Sequence, residues 1–180
     1  MKGVIFVELI KMAEATFGEK TVDSVLETAD LANGGAYTRV GNYPCAELVK
    51  IVMAFSAHSG ISADALQTKF GHWMMQVFVT HYPEFFVDKP DAFALLESVD
   101  QEIHVEVRKL YPDAELPRFD TRRPASNHLE MLYSSPRPLD PFCHGMIEAC
   151  LEHFGAPGQI TRTAHPRLEN TTTFDITLTR

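Results

Sequence analysis

The chain is predicted to be an α+β protein, helical through about residue 110 and sheet-forming beyond it. Two observations predict this. Up to Leu110 apolar residues recur at three- and four-residue spacing, the period of amphipathic helices. Beyond Pro112 the segments LPRFDTR, HLEMLYSS, GQITRTAHPRL and TTTFDITLTR are short, rich in β-branched and aromatic residues, and separated by turn formers, as strands are. One helical segment, DPFCHGMIEACLEHF at about 140–154, is inserted among them.

The elements follow in order. Residues 2–17 carry helical periodicity and Gly18 can end that helix. Thr21 is placed to cap a second helix through about Thr28. The stretch LANGGAYTRVGNYP reads as a loop with a short extended piece at Ala36–Val40. Pro44 suits a first helical position, and helix continues to about His58. Ser62 caps a helix running to about His81, where YPEFF breaks it. Asp91 through Leu110 forms a helix stopped before Pro112.

The bulk numbers exclude several classes. A length of 180 residues suits one domain or two tightly packed subdomains. A net charge of −8 argues against nucleic acid or an anionic membrane as the main partner. No apolar run approaches the roughly 18 residues of a membrane span. The N-terminal stretch is no signal peptide, because Glu8, Lys11 and Glu14 interrupt it at helical spacing. Cys45, Cys143 and Cys150 are scattered, which suggests incidental thiols in a reducing cytoplasm.

Two patterns carry chemistry. Leu96, Val99, Ile103, Val107 and Leu110 form an apolar stripe on the 91–110 helix, and His104 borders it, one turn after Asp100 and one before Arg108. By itself this suits a half-buried histidine bonded to a neighbouring carbonyl or carboxylate. The second pattern is Tyr133, Ser135 and Arg137 at alternate positions. On a strand these share one face, presenting a phenol, a hydroxyl and a guanidinium. Such a trio suits a pair of carboxylates; a solvated polar face is the plainer alternative. Pro136 and Pro138 place it at a strand end or edge. Heme answers both patterns, offering iron to an imidazole and two propionates to cations and hydroxyls.

With His104 in HVEVRKLYPDAELPRF and Tyr-x-Ser-x-Arg in YSSPR, together with MKGVIF, GGAYTRVGNYP and HYPEFF, the sequence resembles the heme nitric oxide/oxygen binding (H-NOX) family over nearly its whole length. The resemblance implies a single domain, 1–180, in which a helical N-terminal subdomain (1–60) packs on a larger subdomain (61–180) with a four-stranded antiparallel sheet, heme b lying between them. It implies His104 as the iron ligand, Tyr133, Ser135 and Arg137 as a propionate clamp, Pro117 pressing on the porphyrin, and Ile5 and Phe78 touching it. It implies a non-enzymatic cytoplasmic gas sensor that signals to a histidine kinase or a cyclic-di-GMP enzyme. Oxygen-binding members carry a distal Tyr five residues after the clamp Arg, supported by a Trp and an Asn. Those positions here are Phe142, Leu9 and Met74. A pocket so built has no hydrogen-bond donor, and an unpartnered polar oxygen there loses roughly 1–3 kcal/mol.

The expectation is therefore a sensor of nitric oxide and carbon monoxide that excludes oxygen. His72 and Trp73 are the neighbours that could supply a donor. The rivals are an oxygen-binding heme sensor, a peroxidase, and a non-heme interaction domain with a structural His104. A peroxidase needs a distal acid–base pair, which Leu9, Met74 and Phe142 do not supply. Some family members hold zinc through a Cys/His cluster near the C-terminus; TAHPRLENTTTFDI has no Cys, and Cys143, His144 and Cys150 lack zinc spacing.

Overall fold

The computed structural model of the chain describes residues 1–179. Helix α1, Gly3–Phe17, buries Phe6, Leu9, Met12 and Ala13 along one stripe. Gly18 ends it at φ 84°, a left-handed value that side chains with a Cβ avoid. The chain turns there directly into α2, Glu19–Thr28. Thr21 therefore does not cap α2, as its sequence position suggests. Its N–H and that of Val22 both bond to the Gly18 carbonyl, so the helix is already under way.

The extended piece expected at Ala36–Val40 does not form. The Tyr37 ring stacks on Phe6 instead, with centroids 4.6 Å apart, and the β pairing falls on Lys2 and Asn42. Helix α3, Cys45–Ser59, starts one residue after Pro44. Helix α4, Ala63–His81, starts as predicted, with the Ser62 hydroxyl accepting from the Ala65 N–H at 3.2 Å.

The 91–110 helix is interrupted. Asp91 caps α5, Ala92–Ser98, accepting from the Ala94 N–H at 2.8 Å. A π-helical turn follows, Val99–Ile103, closed by the His104 N–H on the Val99 carbonyl. Helix α6, His104–Leu110, completes the segment. A wide turn advances less per residue than the ~100° of an α-helix. It therefore swings His104 onto the face that Leu96 occupies. His104 is buried, while Val99, Ile103 and Val107 are half-buried and Leu110 is 66% exposed. The predicted stripe thus stops at Val107.

Strands β1, Arg118–Ala125, β2, His128–Ser134, β3, Gly158–Ala164, and β4, Thr171–Leu178, form one antiparallel sheet in the order β1-β2-β4-β3. Arg180, placed in the last strand by its sequence, lies outside the described residues. On β2 Leu129, Met131 and Tyr133 alternate inward, facing Phe174 and Ile176 of β4 and Ile147 and Leu151 of α7, Asp140–His153. A second apolar cluster joins Phe6, Leu9 and Met12 of α1 to α3. Helix α4 serves both: Leu66, Phe70 and Met74 face the N-terminal cluster, and Met75 faces the sheet cluster. Helices α4 and α7 meet backbone to backbone. A Cβ on Gly71 would stand 2.3 Å from the Phe142 carbonyl oxygen, and one on Gly145 would stand 1.9 Å from that of Thr68. Only glycine permits that approach.

Candidate functional site

The π turn and the start of β1 bring His104 against three groups. Its Nδ1 lies 3.4 Å from Asp100 Oδ1, one turn earlier. Both atoms are buried, and neither completes a hydrogen bond. The Pro117 backbone also lies against the imidazole. Burial lowers the His104 pKa, and the Asp100 carboxylate opposes only part of that. The ring is therefore neutral at neutral pH, the form that ligates metals. With Nδ1 turned toward the Asp100 carboxylate, the tautomer with its proton there is favoured. That leaves Nε2, which among the described residues has no hydrogen-bond partner, with a lone pair.

From His104 an aromatic path runs into the sheet: Phe119 at 5.6 Å, then Tyr133, also 5.6 Å from Phe119. Strand β2 ends at Ser134, so Tyr133, Ser135 and Arg137 do not share a strand face as expected. Pro136 and Pro138 cannot donate to a ladder, and the chain leaves the sheet. The trio stays together in another way. Tyr133 is buried beside Ser135, and burial pushes its phenol up to about 12. The Ser135 hydroxyl accepts from the Arg137 N–H at 3.1 Å. The Arg137 guanidinium donates to the Glu115 carbonyl at 2.6 Å and also bonds to the Glu115 carboxylate. The connection Glu115–Leu116–Pro117 thus touches the arginine at one end and the imidazole at the other. Sequence reasoning missed Glu115, whose contact with Arg137 spans 22 positions.

The apolar residues singled out gather in the N-terminal cluster. Leu9 is 3% and Met74 0% exposed, and half-buried Ile5, Phe78 and Phe142 pack against them. The Phe142 ring lies 5.0 Å from Phe70. The two neighbours with N–H groups are engaged elsewhere. Trp73 Nε1 donates to Glu8 Oε2 at 3.3 Å, and His72 Nε2 lies 2.9 Å from Glu148 Oε2 on α7. Glu8 was also missed, although a glutamate between Ile5 and Met12 on a buried stripe was a visible signal. A cleft of about 480 Å³ between α7 and β3 has none of the site residues in its lining.

These residues suit a heme. A neutral imidazole has a free nitrogen, a half-buried cation and two hydroxyls stand together, and α1, α4 and α7 supply an apolar set. Arg137 would exchange or share its Glu115 partner to take a propionate. The cysteines are free thiols; burial raises the pKa of all three, Cys150 to about 12. His128, Glu130 and Asp175 cluster on the outer sheet face, where Arg122 forks onto Glu130. Among the described residues no helix is long and apolar enough to cross a membrane.

Comparison with known proteins agrees with this geometry. The model of the Haem-NO-binding family matches residues 2–162. The ferrous, unliganded H-NOX protein from K. algicida is 32% identical, with TM-score 0.93 over 100% of this chain and 97% of that one. The H-NOX from Shewanella woodyi, solved with IWP-051 in the Fe(II)CO state, is 36% identical, with TM-score 0.83 over 98% of this chain and 94% of that one. The S. oneidensis protein in the Fe(II)NO state, 24% identical over 100% of both chains, has TM-score 0.89 and shares the fold. Comparison with curated proteins gave no match. The chain belongs to the Haem-NO-binding, or H-NOX, family of heme-based gas sensors.

Proposed function

We propose that this chain senses nitric oxide at a ferrous heme b, also binds carbon monoxide, excludes oxygen, and signals by releasing His104. The observation that carries this is the buried, neutral His104, whose Nδ1 lies 3.4 Å from Asp100 without completing a hydrogen bond and whose ring lies against the Pro117 backbone. His104 Nε2 would hold the iron. Tyr133, Ser135 and Arg137 would hold the propionates, and Pro117, Ile5 and Phe78 would pack on the ring. Leu9, Met74 and Phe142 would line the open side and offer a ligand no hydrogen bond. When bound, ferrous heme would supply a metal that takes a diatomic gas and whose hold on His104 nitric oxide would weaken.

His104 is weakly held by the protein itself, since its nearest polar neighbour forms no proper hydrogen bond. Once free, it releases α6 from its tether. Pro117 then ceases to be braced by the imidazole, while Arg137 stays fixed beside the sheet. The helical N-terminal part, 1–60, shifts against the sheet-bearing part, 61–180. A partner that prefers one arrangement is switched; a coupling of about 1–3 kcal/mol gives a 5–150-fold change in its affinity. A sensor histidine kinase or a cyclic-di-GMP enzyme is the proposed partner, in the cytoplasm. The carbon monoxide state of the Shewanella woodyi relative supports carbon monoxide binding here.

Visible spectra of the purified, reduced protein test this. A Soret band that responds to nitric oxide and to carbon monoxide, but not to air, is expected. Nitric oxide should give a five-coordinate spectrum and carbon monoxide a six-coordinate one. No Soret band after expression with ample heme would leave a non-heme interaction domain. A stable oxygen complex would make the protein an oxygen-binding sensor, and a six-coordinate nitric oxide spectrum would remove His104 release.

A further inference from the structure

Two residue pairs lie side by side on α1 and α4. Leu9 and Met74 are the apolar pair. Glu8 and Trp73, each one position earlier, are the polar pair, joined by the Trp73 N–H on Glu8 Oε2 at 3.3 Å. Trp73 is the only tryptophan of the chain and packs on the cluster that holds Leu9 and Met74. An indole nitrogen is a donor only, and that of half-buried Trp73 takes the Glu8 carboxylate as its acceptor.

Glu8 is an expensive residue to bury, at 3% exposed on the stripe of Leu9 and Met12. Its second oxygen accepts from Arg39 Nη1 at 2.7 Å and Lys11 Nζ at 3.2 Å. Three donors, from α1, α4 and the loop before α3, converge on one carboxylate. Arg39 and Lys11 approach from solvent, with about half of each side chain exposed. The carboxylate is thus anchored outward, and the indole follows it. His72, the other nearby N–H bearer, is paired with Glu148.

We propose that Glu8 is a positioning residue for gas selectivity: it takes the Trp73 N–H on the outer side and thereby keeps the single indole donor out of the space bounded by Leu9 and Met74. The inference rests on the proposed exclusion of oxygen and names the residue that maintains it. Without the carboxylate, the half-buried Trp73 loses its acceptor and is free to turn its N–H toward that space.

The test uses the isotopically labelled ferrous holoprotein as its diamagnetic carbon monoxide complex, where one indole N–H resonance reports on Trp73 directly. Glu8→Leu should move that resonance and speed its hydrogen exchange about tenfold, as loss of one hydrogen bond predicts. Glu8→Gln keeps the shape and a weaker acceptor, serves if the leucine variant fails to fold, and should move the resonance part of the way. A resonance unmoved in these variants overturns the proposal. In air, reduced Glu8→Leu should acquire an oxygen complex, and Glu8→Leu/Trp73→Phe should lose it again. Identical oxygen behaviour of the single and double variants, with the indole displaced, overturns the selectivity role while leaving nitric oxide sensing intact. An oxygen complex in the unaltered protein overturns the exclusion itself, and the inference with it.

Discussion

Two buried ionisable residues flank the proposed heme position, and the fold treats them in opposite ways. Glu8, on the wall that would face the gas, receives three donors from three segments. His104, on the side that would hold the iron, has one carboxylate 3.4 Å away and no completed hydrogen bond at Nδ1. The wall around Glu8 is braced by backbone contact between α4 and α7. The helix around His104 is broken by a wide turn and ends in exposed Leu110. The contrast matches the proposed division of labour: the wall that selects is rigidly bonded, and the side that must let go is left under-bonded.

The largest expected effect lies on the His104 side. His104→Gly should abolish the five-coordinate ferrous spectrum, and added imidazole should restore it. An unchanged spectrum would show that another group binds the iron, and the comparison would lose one of its terms.

Next comes the braced side. Glu8→Leu strands Arg39 and Trp73 without their acceptor and should cost about 2–3 kcal/mol in urea unfolding. The three donors outweigh burial and hold the Glu8 carboxyl below its ordinary value of 4.5. A carboxylate whose pKa is depressed on folding contributes fully above its unfolded pKa, and the contribution disappears as pH falls through the folded value. The unaltered protein should therefore lose stability relative to Glu8→Gln only below the ordinary carboxylate range. A pH-independent difference between the two would mean that Glu8 acts by shape alone.

The clamp gives a smaller, graded effect. Arg137→Ala should weaken heme retention by roughly 1.5–3 kcal/mol and Ser135→Ala by about 1, because only the arginine bond is charged. Transfer of heme to apomyoglobin measures both, and equal rates would remove the propionate role. The smallest effect sharpens the contrast. Asp100→Asn should change the stability of the heme-free protein by less than about 1 kcal/mol, since its oxygen forms no proper bond to His104. A loss comparable to that of Glu8→Leu would show the His104 side to be as firmly braced as the other.

Much of this molecule was legible in the sequence because its signals are local. Ser62 caps where a hydroxyl should, and the alternation of Leu129, Met131 and Tyr133 marks a half-buried strand. Thr21 misled because a left-handed glycine three residues earlier starts the helix first. The end of β2 misled because spacing by two continues on paper after the ladder has stopped at Ser134. The partners of Glu8 and Arg137 were out of reach for a different reason. Arg39, Trp73 and Glu115 stand 31, 65 and 22 positions away from the groups they bind. No periodicity connects residues so separated; only the packed chain does.

The π-helical turn at Val99–Ile103 has a consequence for insertions and deletions. Such a turn holds one residue more than the α-helical path it replaces. Eight positions separate Leu96 from His104, and in an unbroken α-helix eight steps would leave the imidazole about 80° off the Leu96 face. Seven steps would bring it back to within about 20°. The helix thus behaves as a seven-step frame carrying one surplus residue, which the wide turn absorbs. Removing a single exposed residue such as Gln101 should leave His104 pointing inward along a regular helix. Removing one from α5, ahead of the turn, would disturb the Asp91 cap and the packing of Phe93 together. Where the imidazole points is fixed by how many residues precede it as firmly as by which residues they are.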